Sequence, residues 1–259
     1  MAGIQVRLEK YRALILETRA TGEADLIVWA ITSEGNQLCF VAKGARKTKS
    51  RFAALVQPFT LAEFIVYRGS GMPILRQADS LETFSGIRGS FNKCLPAFSA
   101  LELCRLLIAE EAGEIQAFSL TYSYLRYLNL HTFSLAALNA YRLQLSQVLG
   151  YGFIWDICSA CGNTVARGTA DWSGGGLVCG ACGGKGPILT PDILAIIRFL
   201  CKSSFASAQR LAIDSKQLAR TTHIIDQLFN FLTEGKTKLR VLECCSLRPP
   251  LGNSSPREE

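Results

Sequence analysis

The sequence predicts an α+β protein: a small closed β-barrel, then an α-helical bundle that is interrupted by a four-cysteine ribbon. Three observations carry this expectation. Residues 1–80 read as five short strands with no long helix among them. From about Phe91 the apolar period changes from strand-like to helical. Finally, Cys158-Ser-Ala-Cys161 and Cys179-Gly-Ala-Cys182 stand seventeen residues apart, a spacing characteristic of structural zinc sites.

Taken in order, Ile4-Gln-Val-Arg-Leu-Glu alternates and Ala13-Leu-Ile-Leu continues as a buried run. Leu26-Ile-Val-Trp-Ala-Ile is β-branched, Ser33-Glu-Gly-Asn supplies a turn, and Gln37-Leu-Cys-Phe-Val-Ala returns. Leu61-Ala-Glu-Phe-Ile-Val-Tyr and Pro73-Ile-Leu-Arg-Gln-Ala complete the set across a turn at Arg68-Gly-Ser-Gly. Five strands in about eighty residues suit an OB-fold.

Beyond them, Leu95, Phe98, Leu101, Leu103 and Leu107 mark a first helix that ends in Glu110-Glu-Ala-Gly. A second runs from about Ile115 to Asn129 with Phe118, Tyr122, Leu125 and Leu128 along one face. Ser134 caps a third, over Leu135 to Leu149, stopped by Gly150. After the cysteines, Thr190-Pro191-Asp192 opens a fourth helix, with Pro at its first position. Lys216 to Leu232 makes the last. The expected partition is an OB-fold domain at 1–80, the bundle at 81–157 and 191–248, a zinc-ribbon insert at 158–190 and a disordered tail at 249–259.

The cysteine pairs explain themselves chemically. A two-residue gap lets both thiolates of a pair turn toward one point, and two pairs place four soft donors around a tetrahedral Zn2+ at about 2.3 Å each. Gly162, Gly180 and Gly183-Gly184 stand where tight knuckle turns need freedom of φ. Four sulfurs leave no position for water, so Cys158, Cys161, Cys179 and Cys182 hold a fold rather than hydrolyse a bond. Two disulfides, or four reduced thiols in an irregular loop, are the competing readings. Cys39, Cys94, Cys104, Cys201, Cys244 and Cys245 fall mostly in apolar patterns and read as buried small hydrophobes.

Charge is unevenly placed. Net charge is +7, with eleven basic and seven acidic side chains in residues 1–80 and a slight acidic excess over 81–157. Lys43-Gly-Ala-Arg46-Lys47-Thr-Lys49-Ser-Arg51 sets five cations in nine residues without an acid. On a loop between barrel strands they would meet a polyanion together, and full engagement on single strands gives a log–log salt slope of about −3.5. A loop whose charges serve only solubility is the bland reading. Trp29, Phe40, Phe52 and Phe59 lie close enough in sequence to stack on bases, and alternation does not say which of them belong to the core.

Catalytic patterns are poor. The two histidines, His131 and His223, sit in or beside apolar helical patterns, where hydrogen-bonded structural roles prevail. No carboxylate pair suggests a two-metal nuclease, and Lys185 is followed by Gly-Pro rather than the Ser or Thr of a phosphate-binding loop. The chain is expected not to be an enzyme. No run of eighteen apolar residues suggests a membrane span, and the absence of a secretory pattern at the amino terminus fits a reduced, cytosolic protein.

Gly22-Glu-Ala-Asp-Leu-Ile-Val, Lys43-Gly-Ala-Arg-Lys-Thr-Lys-Ser-Arg-Phe, Leu55-Val-Gln-Pro-Phe, Leu149-Gly-Tyr, Cys158-Ser-Ala-Cys-Gly and Gly175-Gly-Leu-Val-Cys-Gly-Ala-Cys, in this order, resemble the RecO family of bacterial DNA repair and recombination mediators. The stretches span about residues 10–200, and residues 201–259 share only a general helical character with the family. The resemblance implies binding of single- and double-stranded DNA, and annealing of complementary strands even under single-strand-binding protein (SSB). It also implies work with RecR to load RecA, contact with the SSB C-terminal tail, and a cytoplasmic, nucleoid-associated location. By position it implies DNA contacts at Lys43, Arg46, Lys47, Lys49 and Arg51 and zinc on Cys158, Cys161, Cys179 and Cys182. Two alternatives stay open from the residues alone. One is an OB and zinc-ribbon RNA-binding factor of translation or transcription; the other is a scaffold with a merely solvated loop.

Overall fold

A computed structural model describes residues 7–237. The tail at 249–259, Cys244 and Cys245, and the alternation beginning at Ile4 fall wholly or partly outside the described residues. Strands β1 (Arg7–Thr21), β2 (Asp25–Thr32), β3 (Gln37–Ala42), β4 (Leu61–Arg68) and β5 (Ile74–Glu82) close a barrel in the order β1-β2-β3-β5-β4. Neighbours are antiparallel except β3 and β5, which run parallel through Val41 opposite Ile74. This is the OB-fold expected.

The expected alternating stretch and the buried run that continues it form one long strand, β1, whose register slips between Ile15 and Glu17. Burial on both faces explains the apolar run. Ala13 and Ile15 point into the barrel, whereas Leu14 and Leu16 belong to the core shared with the helices. A strand buried on both faces loses the period-2 alternation that half-buried strands show.

Seven helices follow among the described residues: α1 (Ser85–Arg88), α2 (Phe91–Leu107), α3 (Ile115–Leu130), α4 (Leu135–Val148), α5 (Pro191–Leu200), α6 (Phe205–Gln209) and α7 (Ser215–Leu232). α4 is the axis of the bundle, with Ala136 through Leu143 buried without a break. Its alanines let neighbouring helices approach on several sides. Ser134 caps it as expected, accepting from the Ala137 amide at 3.3 Å. On α3 the buried tyrosine is Tyr124, stacked on Tyr141 at 4.6 Å, and Tyr122 of the expected apolar face sits half-exposed at its shoulder. α1 and α6 have too few residues to show a period, and the sequence did not suggest them.

The barrel is locked to the bundle through the β2–β3 turn. Gly35 takes φ +83°, and its carbonyl accepts from the Glu114 amide at 3.1 Å. Asn36 Oδ1 accepts from Gly113 N at 2.8 Å. Next along the chain, Gln37 Nε2 donates to the Arg105 carbonyl at 2.9 Å and also reaches those of Cys104 and Ile108. One barrel side chain thus reaches three carbonyls around the end of α2, of which that of Cys104 also accepts from the Ile108 amide.

Between α4 and α5 lies a second sheet of β6 (Ile154–Cys158), β7 (Gly168–Asp171), β8 (Gly176–Cys179) and β9 (Ile188–Leu189), ordered β6-β8-β7-β9. It begins four residues ahead of the first cysteine. Phe153, Trp155, Leu177 and Leu189 join the core of the helices, so this sheet is packed on the bundle rather than hung from it.

Candidate nucleic-acid interface and metal centre

The cation-rich segment is the connection from β3 to β4, residues 43–60, and it is anchored at both ends. At its start, Asp25 Oδ1 accepts from the Gly44 amide at 2.7 Å, and Arg46 N donates to the Ala24 carbonyl at 2.9 Å. At its end, Arg88 Nη2 donates to the Pro58 carbonyl at 2.7 Å and to Thr60 Oγ1 at 2.8 Å. In between, Ala45, Phe52 and Val56 insert into the barrel core. The apolar residues of the loop therefore plug the barrel, which leaves its cations on the outside.

Lys43, Arg46, Lys47, Lys49 and Arg51 are all exposed. None lies within ion-pair distance of an acid among the described residues. Two of them are positioned by main-chain carbonyls: Arg46 Nη1 donates to Glu23 O at 3.2 Å and Arg51 Nη2 to Arg76 O at 3.0 Å. Five unneutralised cations on an anchored loop make a surface of positive potential with little ordering left to lose on meeting an anion.

Of the four aromatics near the loop in sequence, Phe40, Phe52 and Phe59 are buried. Trp29 is half-buried on β2, with the Arg105 guanidinium carbon 4.9 Å from the centre of its ring. Its face is occupied from the bundle side. Sequence reading also missed the anchors Asp25 and Arg88. Asp25 closes the stretch Gly22-Glu-Ala-Asp25, and its contact with Gly44 shows why that stretch and the cationic one belong together.

The four cysteines meet at one point. The Sγ atoms of Cys158, Cys161, Cys179 and Cys182 all lie within 4.8 Å of one another, with Cys161 and Cys179 at 3.9 Å. A tetrahedron with metal–sulfur bonds of about 2.3 Å has edges of about 3.8 Å, so the set can hold a metal ion. The turns that form it are the same turn used twice. Gly162 N donates to Cys158 O at 2.9 Å and Gly183 N to Cys179 O at 3.2 Å, and these glycines take φ +74° and +69°. Gly180 and Gly184, grouped with them in the sequence reading, take no positive φ.

The close approach of the four sulfurs splits their acidities. The Cys179 amide donates to Cys158 Sγ at 3.3 Å and helps draw that thiol down to about 6. Cys182 would have to ionise beside that charge, and its hydrogen bonds to Cys179 and Cys161 hold it up at about 12. Four thiolates cannot share this space without a cation to neutralise them.

Elsewhere, Cys104 and Cys201 are buried, and Cys39 and Cys94 are half-buried. Cys104 is more than a small hydrophobe, since its Sγ lies 3.0 Å from Thr121 Oγ1 and 3.3 Å from the Tyr141 hydroxyl. His131 and His223 are both exposed. The first stacks on Tyr127 at 4.8 Å and the second bonds Gln227 at 3.0 Å. No helix among the described residues is long and apolar enough to cross a membrane.

Comparison with known proteins gives this geometry a family. Residues 6–84 match the profile of the recombination protein O N-terminal domain, and residues 88–240 match that of the C-terminal domain. The second match continues through residues 201–240, where the sequence resemblance was only one of general helical character. DNA repair protein RecO of Roseiflexus sp. (strain RS-1) is 31% identical over 233 residues, covering 88% of this chain and 82% of that protein. That of Nocardioides sp. (strain ATCC BAA-499 / JS614) is 30% identical over 223 residues, covering 83% and 91%. The Heliobacterium modesticaldum protein is 28% identical over 242 residues, covering 90% and 88%. With the barrel and the helical part each matched along their lengths, the chain belongs to the RecO family of DNA repair proteins.

Proposed function

We propose that this protein is a recombination mediator that captures single- and double-stranded DNA on the 43–60 loop and anneals complementary strands, including strands coated by SSB. Lys43, Arg46, Lys47, Lys49 and Arg51 contact phosphates, and sequence is not read. The observation that carries this reading is the anchored loop with its five exposed, acid-free cations on a closed OB barrel, in a chain of the RecO family. Holding two strands on one surface raises their effective concentration, so pairing proceeds without nucleotide hydrolysis and the protein acts without being an enzyme. The bundle, at 81–157 and 191–248, serves protein partners: RecR, the SSB C-terminal tail and, through them, RecA. Such work belongs in the cytoplasm, at the nucleoid.

The ion we assign to the cysteines is Zn2+. Four thiolates in a tetrahedron suit Zn2+ or iron and reject hard cations that prefer oxygen. A closed four-sulfur shell supplies folding energy rather than a reactive water.

The test is annealing of two complementary, SSB-coated oligonucleotides without ATP, by the intact protein and by a variant with Ala at Lys43, Arg46, Lys47, Lys49 and Arg51. Fast annealing by the first and its loss in the second, with both folded and metal-loaded, is the expected result. Equal annealing by both would move the DNA site off the loop. No annealing by either, together with tight binding of structured RNA, would replace the mediator with an RNA-binding factor.

A further inference from the structure

Beside the loop, β4 and β5 carry a second arrangement of cations and aromatics that the sequence motifs did not single out. The Arg76 guanidinium carbon lies 4.9 Å from the centre of the Tyr67 ring, well within cation–π range. The edge of that ring rests on Gly69. A Cβ at residue 69 would come within 3.1 Å of it, so glycine there lets the ring lie down. Tyr67 points outward from β4 between the inward-facing Val66 and the turn, and Arg76 is exposed at the irregularity where β5 slips register against Ile65 and Val66.

This pair is continuous with the cationic loop. Arg51 Nη2 donates to the Arg76 carbonyl, and the Arg51 guanidinium is itself backed by the Phe52 ring at 4.7 Å. Two arginines, each within cation–π distance of an aromatic ring, thus meet at the junction of loop and strand, Arg51 through the main-chain carbonyl of Arg76. Neither has an acidic partner among the described residues. The acids on the same two strands are engaged elsewhere, Glu63 with Lys10 at 2.9 Å, Asp79 with Gln77 at 2.9 Å and Glu82 with the Tyr122 hydroxyl at 2.9 Å. Cations on one surface without a counter-charge are favoured once a polyanion joins them.

We propose that Arg76, backed by Tyr67, is a stacking platform for an unpaired base, and that it extends the loop's DNA site into a path selective for single strands. The inference rests on the function proposed above. Arg76 is exposed, so its guanidinium, held over the ring, keeps a face open to solvent. A base can lie on that face while the phosphates on either side reach Arg51 and the loop lysines. A duplex keeps its base faces stacked inside, so it can use the charges and not the plane.

The test is fluorescence anisotropy with the full, metal-loaded chain, titrated onto a labelled single-stranded oligonucleotide and onto the matching duplex at several salt concentrations. Arg76→Ala and Tyr67→Leu are expected to weaken single-strand binding by about fivefold or more, the range of one lost base-stacking contact, and duplex binding by clearly less. Tyr67→Phe keeps the ring and is expected to match the parent. Arg76→Lys keeps the charge without the plane, so it should retain the salt slope and lose the preference for single strands. Arg19→Ala, which removes an exposed cation from β1, controls for net charge. The proposal is overturned if Arg76→Ala costs no more than Arg19→Ala, or weakens both DNA forms equally. If the parent protein binds no single strand at all, the proposed function falls and this inference with it; a bound parent with an unaffected Arg76 variant removes the inference alone.

Discussion

Arg198 donates twice to the carbonyl of Trp155, from Nη2 at 2.6 Å and from Nε at 3.0 Å, and so ties α5 to the first strand of the cysteine sheet. The same Nη2 reaches the Val165 carbonyl at 2.8 Å, and Nε lies 2.8 Å from Asp156 Oδ1. A guanidinium placed this way bridges two backbone segments that flank the first cysteine pair. It sets how the cysteine cluster sits on the bundle.

Replacing Arg198 by Ala leaves the carbonyls of Trp155 and Val165 without their donor. Charged hydrogen bonds contribute about 1.5–3 kcal/mol each, so a loss of about 2 kcal/mol is expected for this half-exposed group. Asp156→Asn breaks only an ion pair whose acid is largely exposed, and should cost well under about 1 kcal/mol. Hydrogen exchange read over 153–166 checks the contrast: protection falls sharply in the first variant and hardly in the second. Equal protection in both would mean the carbonyl contacts contribute nothing.

Removing the metal should unfold the ribbon and spare the barrel. The sheet is small, and its own buried residues are few compared with what four metal–thiolate bonds supply. Phe153 stands between Trp155 at 4.2 Å and Trp172 at 5.2 Å, so tryptophan emission reports on this region. Chelation, or Cys161→Ser, is expected to release one metal ion per chain, to shift the emission to the red and to expose amides 154–189 while those of β1 to β3 stay protected. Cys158→Ser should be the most damaging single change, because Cys158 is buried in the shared core whereas Cys161 and Cys182 are exposed.

Gly35 is a third point of test. A Cβ there would stand 2.1 Å from the Glu114 carbonyl carbon and 2.3 Å from its nitrogen, in a residue already at φ +83°. Neither neighbour is a flexible side chain. Gly35→Ala must push the β2–β3 turn off the α2–α3 connection, at a cost of about 2–4 kcal/mol. A urea titration should show a lowered midpoint. Gly22→Ala, also at positive φ but with nothing within 4 Å, should cost less.

Why Gly35 matters could not be read from the chain, although the turn around it could. Strand identity is written locally, in β-branched residues and turn residues, and the five barrel strands followed from it. What Gly35 touches is seventy-nine residues away and has no local signature. The cysteine cluster was legible because spacing alone defines a ligand set. The cations of residues 43–51 were legible as a charge run, but their anchoring by Asp25 and Arg88 was not. The aromatics divided in a way alternation could not give, since Phe52 plugs the barrel from a loop where no period exists. Tyr67 and Arg76 stand nine residues apart on two strands, and only the β4–β5 register brings them together.

Arg142 is the costliest polar residue to have placed in the bundle. Its side chain is 7% exposed, and Nη2 meets Asp226 Oδ1 on α7 at 2.6 Å. The Phe229 ring lies 5.0 Å from the guanidinium carbon, and Nε and Nη1 find no acceptor among the described residues. Burial lowers its pKa and the nearby Asp226 opposes that shift. The pair is thus a poor source of stability but a strong constraint on how α7 docks against α4, since only one arrangement gives the charge its partner. Asp226→Asn should leave that charge uncompensated and cost about 3 kcal/mol, the lower end for a broken buried pair because Asp226 is one-third exposed. Replacing both, Arg142→Met with Asp226→Leu, removes the charges together and should recover most of the loss in a thermal or urea melt. Recovery of Tm with a broader transition would show that the pair fixes the register of the last helix rather than its stability. If the double variant is no better than Asp226→Asn, packing around Arg142, and not its charge, is what the site requires.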